Sequence, residues 1–326
     1  MRRVGIIGYG KVGQFLADSV LNNPRSKSLL ELAFVCDAFA PETLNASTNV
    51  PDELKTYDLD SLEDFNADLI VEVAHPSITA THGPRLLQSA DYYMGKLLLI
   101  PSSSWICLFS NCTNYYPLFS CLHTASTTAF ANIETEQSML KEAHKSTGRA
   151  IYASVGALFG AHDLQKMDAT GKLHRLSVSM TKHPDSFMPL KNTIEYEMNE
   201  QAKQIDDNHD TYQPIELFRG PVRDIASIFP VNVNTMATAA LAASNTLGFN
   251  KTEAVIVADA RMDTMIIEIE MQGMPLADGT PGLVIQSKRE NPSKRGEVTG
   301  KATLDSFYSS LLNAAQMGDR DGIHLA

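Results

Sequence analysis

The chain opens with short apolar runs that alternate with amphipathic segments. Residues 4–7, 32–36 and 68–74 are such runs, which are typical of strands buried on both faces of a parallel sheet. Between the first two, Val12 and Leu16 lie on the apolar face of a helix, a pattern that recurs over 133–145. This alternation predicts an α/β fold that begins with a Rossmann-type, doubly wound parallel sheet.

In the second half of the chain the hydrophobic residues follow a different period. Leu176, Val178 and Met180 alternate with polar residues, which predicts a strand with one buried face, as in an antiparallel sheet. Residues 185–213 are polar and predict a loop or a weak hairpin. The expected organisation is a Rossmann-type domain over 1–155, a second α/β domain with a mostly antiparallel sheet over 156–299, and a C-terminal helix within about 300–326 that packs back on the first domain.

A glycine-rich turn joins the first strand to the first helix. Gly8, Gly10 and Gly13 form a G-x-G-x-x-G pattern in the strand, turn and helix context that gives this motif its meaning. The first glycine permits the tight turn, the second lets the backbone approach a pyrophosphate, and the third lets the helix lie close to the strand. Lys11 and Val12 open the helix, whose free N–H groups bind phosphate. We predict a dinucleotide site; the alternative is a plain glycine-rich turn.

An acidic residue follows the second strand. Asp37 lies 24 residues after Gly13, close to the spacing of about 20 expected for the carboxylate that binds the ribose 2′-hydroxyl. A carboxylate there repels a 2′-phosphate, and no arginine follows it directly. We therefore predict NAD or NADP as the cofactor and favour NAD. The alternative is a surface aspartate in a loop.

Composition narrows the possible partners. The 326 residues are 44% apolar and 20% charged, as in an ordinary globular protein, and carry a formal net charge of −11 at pH 7. This charge argues against nucleic acid or an anionic membrane as a partner, and it means that an anionic substrate needs local cations. Two arginines lead directly into the first strand instead of a signal peptide, so we expect a cytoplasmic protein with free thiols.

Residues 97–126 do not fit this organisation. They include no Asp, Glu, Lys or Arg, and prolines and asparagines interrupt them too often for a membrane span of about 20 apolar residues. The spacing of Cys107, Cys112 and Cys121 matches no zinc pattern, and we predict no metal site. We interpret the segment as an insertion or as an unspliced stretch of the gene. A transcript that joins Lys96 to Thr127 would support the second interpretation.

Four polar side chains outside the glycine turn are candidates for chemistry. His75 ends a first-domain strand, so it lies near the nicotinamide end of the cofactor or caps a loop. Lys182 ends a second-domain strand and either pairs with a substrate carboxylate or is a solvated surface residue. His183 is a catalytic candidate or a turn residue. Arg223 binds the second carboxylate of the substrate or forms a surface pair with Asp224 or Glu216.

Several segments together resemble the aspartate dehydrogenase family. They are the glycine turn and residues 71–76 (VEVAHP), 156–160 (GALFG), 181–184 (TKHP), 229–234 (FPVNVN) and 290–292 (ENP). The resemblance extends over nearly the whole chain apart from 97–126. It implies a Rossmann domain, a substrate and dimerisation domain, and a homodimer. It also implies NAD(P)-dependent oxidative deamination of L-aspartate, through an imine, to oxaloacetate and ammonia.

The resemblance also implies roles for single residues. Ala157 and Asn234, with Asn232 beside it, match positions that contact the cofactor in this family. The family's catalytic group is a histidine at the start of a substrate-domain strand, and Met265 occupies that position here. Methionine accepts no proton, so Lys182 and the adjacent His183 are the candidates to replace the base.

Two functions of different classes remain open from the sequence. The first is an active aspartate dehydrogenase. The second is an NAD(P)-binding protein that has lost catalysis and acts as a sensor or scaffold. A reductase of the homoserine dehydrogenase type is a weaker third possibility, because function does not follow from fold. Formation of NADH from L-aspartate separates the first two.

Overall fold

The structure, a computed structural model, describes residues 1–94, 127–143, 149–156, 158–205, 212–230, 232–293, 295–296, 302–317 and 322–326. The segment 97–126, interpreted above as an insertion, lies outside these residues, and so does Ala157. In the described ranges no helix combines the length and apolar character needed to cross a bilayer.

Strands and helices alternate through the first half of the chain. The strands are β1 (Arg2–Ile7), β2 (Leu30–Cys36), β3 (Lys55–Thr56), β4 (Leu69–Glu72), β5 (Asp91–Met94), β6 (Ala150–Ala153), β7 (Leu173–Lys182), β8 (Ile215–Pro221), β9 (Glu253–Ala258), β10 (Thr264–Gly273), β11 (Val284–Pro292) and β12 (Gly322–Leu325). The helices are α1 (Lys11–Asn22), α2 (Pro41–Asn45), α3 (Pro76–Thr81), α4 (Gly83–Leu86), α5 (Ile133–Ala143), α6 (Ala161–Ala169), α7 (Ile194–Gln204), α8 (Val222–Ile228), α9 (Asn234–Ala242), α10 (Gly248–Lys251) and α11 (Ala302–Gln316). Short 3-10 helices lie at Asp52–Leu54, Leu59–Phe65, Thr127–Ala131 and Pro184–Ser186.

The first sheet has the order β12-β6-β5-β4-β1-β2-β3, and every neighbouring pair is parallel. This confirms the predicted doubly wound sheet. The chain runs outward from β1 through β2 and β3, then returns to β4 on the other side of β1. The crevice at the carboxyl ends of β1 and β4 is therefore the topological switch point, where sheets of this kind bind ligands.

Both faces of the first sheet are covered, which explains its continuous apolar strands. On one face, Val4 and Ile6 pack in a buried cluster with Leu16 of α1 and Leu311 of α11. The C-terminal helix thus packs on the first sheet, where Tyr93 donates its hydroxyl hydrogen to the carbonyl of Phe307 at 3.2 Å. The chain beyond α11 forms β12, an additional edge strand that the sequence pattern did not predict.

The second sheet has the order β11-β10-β7-β9-β8. Its pairs are antiparallel except β7 with β9, so the predicted mostly antiparallel sheet is confirmed. One face is buried, with Val178 and Met180 of β7 beside Ile267 and Ile269 of β10. The opposite face carries the intervening polar residues.

The prediction of a loop or hairpin over 185–213 was wrong, because α7 lies within it. Thr193 caps this helix by accepting a hydrogen bond from the backbone N–H of Tyr196 at 3.2 Å. Acidic residues in the first turn, such as Glu195, favour the helix start. The helix buries little more than Asn199 and Ala202, so its sequence lacks the apolar stripe from which a helix is usually predicted.

Candidate functional site

The glycine turn has the geometry of a phosphate-binding loop. Gly8 has a φ of +102°, which favours glycine, and a Cβ there would lie 2.8 Å from the Cβ of Ala74. A Cβ at Gly13 would overlap the carbonyl oxygen of Gly8. Around Gly10, at the N-cap of α1, no atom of the described residues beyond its two chain neighbours lies within 4 Å of where a Cβ would be. The first turn of α1 includes no acidic residue, so an anion can approach its N–H groups.

Around this turn, Lys11 is exposed and Val12 is buried against the first sheet. Asp37 lies directly after β2 and is only 6% exposed, so the alternative of a surface aspartate is wrong. Its carboxylate accepts hydrogen bonds from the N–H of Tyr9 at 2.9 Å and from the N–H of Ala40 at 2.9 Å. The carboxylate therefore ties the glycine turn to the loop after β2, at the edge where a ribose would lie.

A buried carboxyl lies at the end of β4, and sequence reasoning missed it. Glu72 has no exposed surface and accepts hydrogen bonds from the N–H groups of Ala74 and His75 at 2.7 and 2.8 Å. Thr79 donates to its second oxygen at 3.2 Å. Burial raises the pKa of Glu72 to about 8 despite these hydrogen bonds. The only sequence signal was an acidic residue inside an otherwise apolar run.

Glu72→Gln is expected to remove a pH dependence of stability. Because the folded-state pKa is about 8 and the ordinary value is 4.5, the folded protein retains a proton that the unfolded chain has released. The free energy of unfolding therefore falls as the pH rises between these values, by up to about 1.4 kcal/mol per pH unit. Glutamine stays uncharged and should lack this slope. Urea unfolding across the interval measures it, and identical slopes for both proteins would contradict the shift.

His75 lies at the crevice but also has a capping role. Its Nδ1 accepts a hydrogen bond from the N–H of Ser77 at 3.1 Å, at the N-cap of α3. Its ring lies 6.5 Å from that of Phe39, centroid to centroid, in the loop that follows Asp37. The structure thus gives the capping interpretation a hydrogen bond and places the ring at the carboxyl end of β4. A cofactor contact stays a prediction.

On the second sheet, Lys182 and Met265 lie side by side. Lys182 ends β7 on the same face as Met180 and is 2% exposed, so it is not a solvated surface lysine. Burial lowers the pKa of Lys182 to about 7. β10 pairs with β7 so that Ile266 faces Thr181; continued by one residue, this register places Met265 level with Lys182. Both side chains belong to the buried face.

Asn291 of β11 pairs with Met265 from the other side. Its Oδ1 accepts a hydrogen bond from Nε of Arg289 at 2.7 Å, whereas its Nδ2 is buried without a hydrogen-bond partner among the described residues. The guanidinium of Arg289 lies over the ring of Phe159, 4.7 Å from the centroid. Sequence reasoning used 290–292 only as a family likeness, since their significance depends on this strand register.

Two predicted residues have structural partners. His183 caps the 3-10 helix at Pro184–Ser186, because its Nδ1 accepts the N–H of Asp185 at 3.2 Å. Asn232 is 4% exposed; its Oδ1 accepts the N–H of Met188 at 3.0 Å and its Nδ2 donates to the carbonyl of Ser186 at 3.1 Å. Both the oxygen and the nitrogen of the Asn232 side-chain amide thus form hydrogen bonds with the segment that follows His183.

Asn234, the first residue of α9, differs from Asn232. Its Oδ1 is buried and has no hydrogen-bond partner among the residues that the structure describes. Its carbonyl accepts from Thr127 at 3.4 Å, and Thr238, on the same helix, donates to the carbonyl of Ser154 just after β6. The start of α9 therefore lies at the carboxyl end of the first sheet, with an unsatisfied acceptor.

Arg223 pairs with a different acidic residue from the two that were predicted, Asp224 and Glu216. Its guanidinium forms an ion pair with Glu136 at 2.7 Å and donates to the carbonyl of Ala131 at 2.7 Å and to Asn250 at 2.5 Å. The prediction of a pair with an acidic neighbour in sequence was wrong, because α5 supplies the partner. Arg223 connects α8 to α5, and a role in binding a carboxylate is not supported.

Two family models match the chain. One, described as the NAD binding domain of homoserine dehydrogenase, matches residues 8–94; the other, described as the C-terminal domain of aspartate dehydrogenase, matches residues 163–311. The aspartate dehydrogenase domain-containing protein of Xenopus tropicalis is 34% identical over 319 residues, which cover 98% of this chain and 96% of the relative. The chain belongs to the aspartate dehydrogenase family.

Two further proteins with aspartate dehydrogenase in their names share less sequence with the chain. The L-aspartate dehydrogenase of Methanosarcina acetivorans is 26% identical over 171 residues, or 52% of this chain and 56% of the relative. The solved structure of aspartate dehydrogenase from Thermotoga maritima is 19% identical, has a TM-score of 0.60 and covers 97% of this chain and 98% of that chain. The fold is therefore shared, and membership of this family makes the chain one of the NAD(P)-dependent oxidoreductases.

The described residues of this aspartate dehydrogenase family member fit a nicotinamide dinucleotide. The open space at Gly10 suits a pyrophosphate at the start of α1. The unsatisfied Oδ1 of Asn234 suits an N–H donor such as the carboxamide of a nicotinamide. Gly10, Gly13 and Asn234 would hold the cofactor, with Asp37 at its ribose end.

Proposed function

We propose that this protein oxidises L-aspartate to oxaloacetate and ammonia with a nicotinamide dinucleotide. The observation that carries the proposal is the buried amine of Lys182, at a strand position that the register of β7 and β10, continued by one residue, makes level with Met265. Met265 matches the position of the family's base in the resemblance. Nζ of Lys182 lies 6.0 Å from the ring centroid of Phe187. The next residue, Met188, binds Asn232, which leads to Asn234 at the carboxyl end of the first sheet. Contacts thus connect the amine to the proposed cofactor site.

Oxidation of an amino acid requires a neutral amine on the substrate. When bound, the dinucleotide supplies the acceptor for the hydride that leaves Cα. Lys182, neutral above its pKa of about 7, accepts a proton at Nζ from the substrate ammonium group. After Nζ has released that proton to solvent, the neutral amine takes a proton from the water that attacks the iminoaspartate and returns it to the departing nitrogen, which yields oxaloacetate and an ammonium ion. Enclosure of Lys182 lowers the pKa of Nζ, so that the amine is neutral again for the second step.

Asp37 leads us to propose NAD as the preferred cofactor. Its buried carboxylate lies where the ribose hydroxyls of the adenosine would bind, and a 2′-phosphate there would meet a second negative charge. The substrate partners that we propose are L-aspartate and oxaloacetate. A homodimer stays a prediction from the family resemblance, and a cytoplasmic location stays a prediction from the N-terminal sequence.

A spectrophotometric assay of the purified chain tests the proposal. Reduced nicotinamide should form with L-aspartate and NAD, more slowly with NADP, and far more slowly with L-alanine or L-asparagine. The absence of turnover with every pair, together with measurable NADH binding, would contradict the proposal.

One observation favours a second candidate, a dinucleotide-binding protein without catalysis. Met265 cannot accept a proton, and a general base typically contributes about 10²–10⁴-fold to a rate. If Lys182 does not replace the missing histidine, binding survives and turnover is lost. Met265→His should then create activity in an inactive protein, whereas it should change the rate little in one that already uses Lys182.

A further inference from the structure

The edge strand β11 presents a cation and an amide to the proposed site. Asn291 pairs with Met265, and Arg289 pairs with Ile267. Because side chains alternate along a strand, Arg289 and Asn291 lie on the buried face of the sheet, whereas Lys288 and its strand neighbours of the same parity face solvent. The pair on β11 therefore lies on the opposite side of Met265 from Lys182.

Arg289 differs in its charge partners from other arginines of the part of the chain that the structure describes. Other arginines have carboxylate partners: Arg85 pairs with Glu63, Arg175 with Glu253 and Arg219 with Glu216. Among the described residues no carboxylate forms an ion pair with Arg289, and burial lowers its pKa. A half-buried cation without a counter-charge is costly, and a bound anion offsets that cost.

The orientation of Arg289 is fixed from two sides. Phe159 stacks on its guanidinium, and Asn291 accepts from its Nε. Among the described residues no carboxylate pairs with its two terminal nitrogens, and these form the fork that binds a carboxylate through parallel hydrogen bonds. Asn291 adds a third donor, because its Nδ2 is buried and has no hydrogen-bond partner within the described ranges. A buried donor left unsatisfied is destabilising, so a ligand oxygen is favoured here.

We propose that Arg289 and Asn291 form a subsite for the side-chain carboxylate of the substrate, and so select dicarboxylates over monocarboxylates. The subsite rests on the proposed function for its substrate but can be measured without turnover. Net charge makes the local cation necessary, since a chain with a formal charge of −11 repels a dianion elsewhere on its surface. The reacting end of the same molecule would then lie toward Lys182, across Met265 on the neighbouring strand.

Binding of two matched carboxylates tests the subsite. Succinate and butyrate have the same carbon chain and differ by one carboxylate. Calorimetric titration of the full chain with bound NADH should show succinate binding at least about tenfold more tightly than butyrate. Arg289→Met should remove this preference, with a loss of about 10- to 100-fold for succinate and little change for butyrate. Asn291→Asp should also weaken the binding of succinate, because the new carboxylate pairs with Arg289 and repels the ligand.

Lys288→Met is the matched control. It removes the same charge from the adjacent position of β11, but Lys288 faces solvent, where it pairs with Glu290. Succinate binding should not change. The subsite is refuted if unaltered protein shows no preference for succinate, if Arg289→Met retains the preference, or if Lys288→Met loses it equally. Thermal melting of each variant shows whether it folds. If Arg289→Met does not fold, the succinate affinity of Asn291→Asp decides.

The same titrations separate the subsite from the proposed reaction. Succinate binding that depends on Arg289 in a protein that oxidises no aspartate supports the subsite and contradicts the reaction. Aspartate oxidation with a KM that Arg289→Met leaves unchanged supports the reaction and overturns the subsite.

Discussion

Replacing Lys182 with methionine is expected to lower kcat for L-aspartate oxidation by about 10²–10⁴-fold, the usual contribution of a general base. Methionine preserves the length and apolar character of the buried side chain. Binding of NADH should change less than about twofold, and stability should not fall, because an amine that burial disfavours has been removed. Steady-state rates measure kcat, and fluorescence titration measures the binding of NADH. Unchanged kcat would show that another group is the base.

The pH dependence of kcat distinguishes a catalytic Lys182 from one with only a structural role. Because the neutral amine is the base and its pKa is about 7, kcat should be low below this pH and should rise to a plateau above it. Lys182→Met should lose the inflection. Adding Met265→His to this variant should recover part of the rate, since the two positions are level on neighbouring strands. A double variant as inactive as Lys182→Met would mean that Met265 does not face the reacting atoms.

Gly10→Asp is expected to weaken NAD binding by about 100-fold, or about 3 kcal/mol, because a carboxylate would occupy the space of the pyrophosphate. Residues other than glycine can adopt the backbone conformation of Gly10, with φ −69° and ψ −170°. Apart from its chain neighbours, no atom in the described part of the chain lies within 4 Å of a Cβ there. The melting temperature without cofactor should therefore change little. Calorimetric titration with NAD measures the loss, and Gly10→Ala, which adds only a methyl group, should show a smaller one. Equal affinity in all three proteins would place the pyrophosphate elsewhere.

The first sheet was predictable because its signals are local. The glycine turn lies between an apolar strand and an amphipathic helix. All three patterns are read from adjacent residues, and together they predict one strand–turn–helix unit. The helix α7 and the strand β12 were missed for the opposite reason. Most of α7 is polar, and β12, with four residues, is too short to establish a period.

The candidate site was only partly predictable, because burial and strand register are not local. The position of Lys182 at a strand end was predicted from the sequence. The burial of its side chain was not, because it depends on residues outside the strand, such as Phe187, whose ring lies next to Nζ. Arg289 and Asn291 become candidates only when β11 is placed beside β10. Arg223 shows the converse, since a cation that looked available is occupied by Glu136 from a distant helix.

The most direct test of the central claim follows the hydrogen on Cα of the substrate. L-Aspartate carrying deuterium at Cα, incubated with the unaltered chain and NAD, should yield reduced nicotinamide that contains the deuterium, and oxaloacetate that lacks it. This result requires both that the glycine turn holds the dinucleotide and that the second sheet holds the amino acid against it. Reduced nicotinamide without deuterium, or none at saturating concentrations of both ligands, would contradict the assignment of this site as an L-aspartate dehydrogenase.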